Sequence, residues 1–270
     1  MKIFGLQLSN TSANQIFAHL PGILAGKKGK KIFTPNPEIL LKQAHDSEFK
    51  DILEQADYLV PDGIGLYIAA QMLEYDNKLM RILLLPYFFF NLFFRISALY
   101  KKYGERICGS DLTKLLLEYS IEHDIRITVL DPYYPKDAPK VASQKDFQRN
   151  LLAKFPGLKF DFFVYKPDEI LNIISEIKNS DSQIVFSTFG MKSQEQCVLD
   201  VMKQCPNIKL GLGVGSSFDY FIGFQKRASP IWSSLGLEWL YRLIFSHNRR
   251  RQMSKVWNAV FVFLWKVIKN

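Results

Sequence analysis

Thr34-Pro35-Asn36-Pro37-Glu38 and Val60-Pro61-Asp62-Gly63-Ile64-Gly65 are two short polar stretches broken by proline or glycine. Each directly follows an apolar run, Lys31-Ile32-Phe33 in the first case and Ala56 to Val60 in the second. In an alternating α/β chain, the carboxyl ends of neighbouring parallel strands look like this, and ligands bind at those ends. Asp62 carries the most information. A carboxylate held between Pro61 and Gly63 at a strand end is backed by apolar residues and faces a crevice, a good setting for a general base. The competing reading is an N-cap for a helix running from Ile64 to Leu73.

Apolar runs and helical periodicities alternate along the rest of the chain, which predicts an α/β fold. Strands are expected at Lys31 to Phe33, Asp57 to Val60, Ile125 to Leu130, Leu158 to Val164, Gln183 to Ser187 and Ile208 to Leu212. Helices are expected at Ser12 to Leu24, Pro37 to Ala44, Gly65 to Leu73, Asp111 to His123 (with Ser110 as cap), Lys140 to Phe155, Pro167 to Lys178 and Gln194 to Gln204. Beyond Gly223 the alternation stops. The chain thus divides into an α/β core over 1–225 and an appendage over 226–270, with an aromatic insertion at about 79–103 inside the core.

At 270 residues and 48% hydrophobic content, the chain can bury a substantial core. Its net charge of +9 is concentrated late: from Lys226 onward, nine Lys and Arg residues face the lone Glu238. These cations interleave with Trp257, Phe261, Phe263 and Trp265, a pattern that suits an anionic membrane surface better than nucleic acid. A terminal helix packed on the protein's own core is the alternative. The insertion, Leu79 to Tyr100, is apolar and long, but Arg81, Asn91, Arg95 and Pro86 interrupt it. An interfacial segment with Arg81 and Arg95 at headgroup level is expected, against a core helix pair or homo-oligomer contact.

Three cysteines and four scattered histidines show no metal-type spacing, and no secretory signal is read at the N-terminus. Neither a P-loop nor Gly-x-Ser-x-Gly is present. Gly211 to Ser217 is a Gly-rich loop whose N–H groups could cradle a pyrophosphate, though it lacks the dinucleotide fingerprint. Ser187 to Glu195 forms another strand-to-helix turn that brings Gln194 and Glu195 to the same edge.

Taken in order, these segments resemble the WecG/TagA/CpsF family of bacterial glycosyltransferases over nearly the whole chain. The resemblance is carried by Thr34-Pro35-Asn36-Pro37-Glu38, Pro61-Asp62-Gly63-Ile64-Gly65, Arg106 to Leu112, Gly213 to Ala228 and Leu237 to Leu243. It implies a Rossmann-like, mostly parallel sheet flanked by helices, and an inverting, metal-independent enzyme without a cofactor. It also implies a UDP-sugar donor, with N-acetylmannosamine the best-known sugar, and a polyprenyl-diphosphate-linked acceptor at the cytoplasmic face of the cell membrane. Asp62 stands where the family has its proposed base, and Thr34, Asn36 and Gln194 match polar active-site positions. Arg106, Gly213, Gly215, Phe218 and Asp219 fall in motifs expected to hold substrate. Arg242 and Arg249 match basic residues of the appendage that meet the diphosphates.

The chain departs from the family pattern in four places. Met191-Lys192-Ser193 replaces the usual residues before Gln194, with Lys192 expected to restore a charge one position early. Leu130-Asp131-Pro132-Tyr133-Tyr134-Pro135 stands where relatives carry a Gly-Gly-containing loop, the third appendage Arg falls at Gln252 beside Arg251, and the aromatic insertion is longer than usual. A non-catalytic, membrane-bound sugar-nucleotide-binding protein is the alternative that these departures suggest.

Overall fold

The computed structural model describes residues 1–132, 144–165, 170–224 and 256–270, together with Ser229, Trp232, Tyr241, Ile244 and Met253. A small hairpin, β1 (Lys2–Ile3) and β2 (Leu6–Gln7), opens the chain. Its turn residues Phe4 and Gly5 both have positive φ, as a two-residue hairpin of matching twist requires.

Six further strands make the main sheet: β3 (Lys30–Phe33), β4 (Tyr58–Leu59), β5 (Ile127–Pro132), β6 (Phe160–Tyr165), β7 (Ile184–Ser187) and β8 (Leu210–Gly213). Their order is β4-β3-β8-β7-β5-β6, and every pairing is parallel. The expected fold class, a parallel sheet flanked by helices, is therefore the observed one. Strand ends read from sequence shift by one or two residues.

Helices cover both faces, so strand side chains are apolar on both. On one face, α1 (Ala13–Ala25), α8 (Gly109–Glu122), α9 (Gln144–Lys154) and α12 (Ser217–Phe221) pack against Ile32, Val129, Phe186 and Leu212. On the other, α2 (Pro37–Gln43), α3 (Ser47–Glu54), α4 (Gly65–Met72) and α11 (Ser193–Gln204) surround Phe33 and Leu59. There α10 (Ile170–Asn179) covers Leu130 and Val185. The α1 start is a reciprocal capping box: Ser12 Oγ accepts the Gln15 N–H, and Gln15 Oε1 accepts the Ser12 N–H. A cap of this kind contributes about 1 kcal/mol.

The structure corrects three local expectations. Ser110 does not cap α8; Cys108 holds that position, and Ser110 is buried inside the first turn. Asp62 is not the cap of α4 either, because Ile64 occupies that position and no side chain caps the helix. The aromatic insertion forms three short helices, α5 (Lys78–Leu83), α6 (Leu85–Phe94) and α7 (Ile96–Tyr103), with Pro86 starting α6 rather than breaking it. No helix of the described residues is long and apolar enough to cross a membrane.

Arg81 is the fourth correction. Instead of reaching a headgroup, it is 5% exposed and donates to the carbonyls of Tyr75, at 2.7 Å, and Val267, at 2.6 Å. Val267 lies in the terminal helix α13 (Phe263–Lys269), which follows a π-helical turn at Asn258–Val262. A planar guanidinium satisfies the last-turn carbonyls of a helix that has none of its own partners left. Phe263 and Val267 are fully buried in the same cluster as Leu40 and Tyr67. The C-terminal helix thus shares the core of the α2–α4 layer.

Glycine allows α11 to press directly onto β8. A Cβ at Gly211 would lie 2.4 Å from Met202 Sδ and 2.6 Å from Val198 Cγ1. Overpacking of this kind costs typically about 1–3 kcal/mol, so Gly211→Ala should lower unfolding free energy by that order in urea titration. Gly190→Ala has nothing within 4 Å of the added carbon and should leave the midpoint nearly unchanged. Equal midpoints for the two variants would contradict this packing.

Candidate active site

Sheet register brings the carboxyl ends of β4, β3, β8 and β7 level with one another. Leu59 pairs with Phe33, Phe33 with Gly213, and Gly213 with Ser187. The turns that follow these residues carry Asp62, Thr34, Gly215 and Gln194. Backbone bonds tie the first two turns together: the Asp62 N–H donates to Pro35 O at 3.0 Å, and the Ile107 N–H to Pro61 O at 3.2 Å. Gly63 has φ +115, which only glycine adopts without strain, and a Cβ there would sit 3.3 Å from Pro37.

Asp62 and Thr34 meet at the N-terminus of α8. The Gly109 N–H donates to Asp62 Oδ2 at 3.4 Å. A Cβ at Gly109 would lie 3.1 Å from Thr34 Oγ1 and 3.9 Å from Asp62 Oδ2. The missing side chain is therefore what lets the hydroxyl and carboxylate share the mouth of the helix. Asn36, two residues after Thr34, is the N-cap of α2, its Oδ1 accepting the Ile39 N–H at 3.0 Å. Arg106, half-buried on the approach to α8, hydrogen-bonds the Tyr100 hydroxyl, and burial raises the Tyr100 pKa above its ordinary value.

Gln194 belongs to a second network on the far side of β3. Its Oε1 accepts the Gly215 N–H at 2.9 Å, and its Nε2 donates to Glu195 Oε1 at 2.6 Å. Its stem lies over Gly213, where a Cβ would come within 3.0 Å. The strands that lead into the two networks, β3 and β8, are direct neighbours in the sheet. The Gly-rich loop consequently spends its amides internally. Val214 N–H goes to Ser187 O, Gly215 N–H to Gln194 and Ser217 N–H to Val214 O, so these three do not form the expected anion cradle.

Phe218 lies in the core at 2% exposure, its ring against Phe147, Phe186 and Phe221, so it supports the loop from beneath. Asp219 is half-buried in the first turn of α12. Lys192 does not offer the free charge expected of it: its ammonium lies 2.9 Å from Asp46 and 2.7 Å from Glu48. Arg242 and Arg249 lie outside the described residues. Among the described residues, no three His, Cys, Asp or Glu side chains converge as a metal site.

Two features were not foreseen. Asp131, at the end of β5, is 8% exposed and accepts the Thr188 hydroxyl from the end of β7. They lie 57 positions apart in sequence, and only the Leu130–Ser187 register signals their meeting. The other is the burial of Glu195, a residue expected at this edge beside Gln194. Glu195 is 1% exposed, and its Oε2 accepts the Lys192 N–H at 2.7 Å. That bond holds Lys192 at φ +74, a strained conformation for a residue with a side chain.

The parallel sheet carries a carboxylate, a hydroxyl and a carboxamide to one edge, and open α/β sheets bind ligands outside the carboxyl ends of their strands. The sequence profile of the glycosyl transferase WecG/TagA/CpsF family matches residues 1–89 and 90–270, and the chain belongs to that family. One relative is the N-acetylglucosaminyldiphosphoundecaprenol N-acetyl-beta-D-mannosaminyltransferase of Bacillus subtilis (strain 168). It is 27% identical over 232 residues, covering 85% of this chain and 77% of the relative.

Burial pushes the Glu195 carboxyl above the ordinary carboxylate range, against the opposing bonds from Gln194 and Lys192. The folded state therefore holds this proton more tightly than the unfolded chain. Its stabilising contribution is complete below the unfolded value, about 4.3, and is lost as pH rises through the raised one. Glu195→Gln removes the titration. The stability of wild type relative to this variant should fall as pH rises from about 4 to 7. Urea unfolding across that range checks this, and a pH-independent difference would contradict it.

Proposed function

We propose that this protein is an inverting, metal-independent hexosyltransferase of bacterial cell-surface polysaccharide synthesis. It moves a sugar, N-acetylmannosamine, from a UDP-sugar to a polyprenyl-diphosphate-linked sugar at the cytoplasmic face of the membrane. The observation that carries the reading is the meeting of Asp62 and Thr34 at Gly109, on the sheet edge where ligands bind. The reaction named for the Bacillus subtilis relative supports the choice of a lipid-linked acceptor and of this sugar.

In this reading Asp62 takes the proton of the acceptor hydroxyl as its oxygen attacks the anomeric carbon from the face opposite UDP. The new glycosidic C–O bond forms while the bond to the diphosphate oxygen breaks, and UDP leaves with the electron pair. Thr34 and Asn36 orient the acceptor, and Gly213, Gly215, Phe218 and Asp219 shape the donor side under the control of Gln194. The leaving diphosphate needs positive charge, which Arg106, Arg242 and Arg249 supply. The division into a 1–225 core and a 226–270 appendage follows the same logic, since the appendage brings its cations to a site that the core builds.

One observation favours a second reading, a non-catalytic sugar-nucleotide-binding protein. The cation at Lys192 is consumed by Asp46 and Glu48. Asp62→Asn separates the two. The amide keeps an acceptor oxygen for the Gly109 N–H but cannot take a proton. Transfer to a short-chain lipid-linked acceptor should fall by roughly 10²–10⁴-fold, with UDP-sugar binding by calorimetry unchanged. Turnover by the variant near the wild-type rate would eliminate Asp62 as the base. Wild-type protein that binds UDP but transfers to no lipid-linked sugar would support the second reading.

A further inference from the structure

The insertion helix α6 is apolar on both sides. Its inner side is fixed to the core: Phe88, Asn91 and Leu92 are buried, and Asn91 Nδ2 donates to Gln71 Oε1 of α4 at 2.8 Å. Its outer side exposes Phe90, Phe93 and Phe94, the last at 74%. The preceding helix α5 exposes Leu79 and Leu83. A monomer that faces only water has no reason to keep such a contiguous apolar surface.

The C-terminal helix adjoins this surface. Arg81 of α5 donates to the Val267 and Ile268 carbonyls, and Lys78 donates to the carbonyl of Lys269. Trp257, Phe261 and Trp265 on the π-helical turn and α13 are also exposed. Ala259 O lies 3.7 Å from where a Cβ of Gly65 would be, beside the turn that carries Asp62. The apolar surface therefore starts at the rim of the candidate site.

Charge identifies the occupant. Residues 77–104 contain five Lys and Arg, residues 256–270 contain two, and neither segment has a single Asp or Glu. A second copy seated here would oppose its own cations to their equivalents, because a two-fold contact pairs a patch with itself. An anionic lipid leaflet offers both an apolar interior and a negative surface. We propose that α5–α6 and the C-terminal helix form one bipartite face that seats the protein on an anionic leaflet, stapled by Arg81, with the Asp62 crevice at its edge. This deepens the transferase reading, from which the choice of a lipid partner partly draws.

Sedimentation with phosphatidylcholine vesicles containing phosphatidylglycerol, without acceptor, tests it. Wild type should sediment, and the Leu79→Ser, Leu83→Ser, Phe93→Ser, Phe94→Ser variant should partition about tenfold less or weaker still. Its circular dichroism melt and its transfer to a water-soluble short-chain acceptor should stay at wild-type levels, since these side chains are exposed. Arg81→Gln should reduce partitioning as well, by freeing the C-terminal helix. As a check independent of multiple substitution, Phe94→Cys carrying an environment-sensitive dye should shift to the blue on anionic vesicles; Cys108, Cys197 and Cys205 are buried.

Wild type that stays in the supernatant, or a dye that does not shift, would overturn the proposal. So would a dimer in solution that the serine variant converts to monomer while vesicle binding persists. Vesicle binding with no sugar transfer would sink the transferase reading alone. Transfer to the soluble acceptor with no vesicle binding would sink the docking face alone.

Discussion

The site depends on one missing side chain. Helix α8 begins at Gly109, and its first amide reaches Asp62 while Thr34 Oγ1 fills the space that a Cβ would need. Three segments far apart in sequence, at Thr34, Asp62 and Gly109, are held to each other there. Backbone bonds from Asp62 to Pro35 and from Ile107 to Pro61 make the junction rigid. A carboxylate positioned by main-chain contacts needs no reorganisation at the moment a substrate hydroxyl arrives, which is the form of preorganisation that electrostatic catalysis uses.

The Gln194 network is built by the same device. Gly211 and Gly213 bring α11 onto β8 closely enough for Gln194 to hold the Gly215 amide, and buried Glu195 fixes the Gln194 carboxamide in turn. Both networks hang on the central strands β3 and β8, which are paired over four residues. The spacing between them is set by the sheet and not by loops. That brings polar groups from separate crossovers to one edge of the sheet.

Much of this was legible in the sequence because it is local. Pro37 at the start of α2, the capping Ser12 and the alternating apolar runs each fix an element within a few residues. Asp62 could be read as a strand-end carboxylate or as a helix cap, and the structure puts Ile64 at the cap. Non-local features were hidden. Asp131 meets Thr188 only through strand register, Lys192 finds Asp46 and Glu48 across 146 and 144 positions, and Arg81 reaches Val267 across 186. A Gly-x-Gly pattern also supports two physical readings, anion binding and close packing. The contacts of Gly211 and Gly213 with α11 show the second at work.

Membership of the WecG/TagA/CpsF family supports sugar transfer, and the contact of Asp62 with Gly109 is the observation behind proposing Asp62 as its base. The most direct measurement is a structure of the protein with UDP and a short-chain lipid-linked acceptor bound together. The account predicts the acceptor's nucleophilic hydroxyl within hydrogen-bond reach of the Asp62 carboxylate, about 2.6–3.2 Å. An acceptor hydroxyl seated against Asp131 or Glu195 instead, with Asp62 facing no substrate atom, would contradict it.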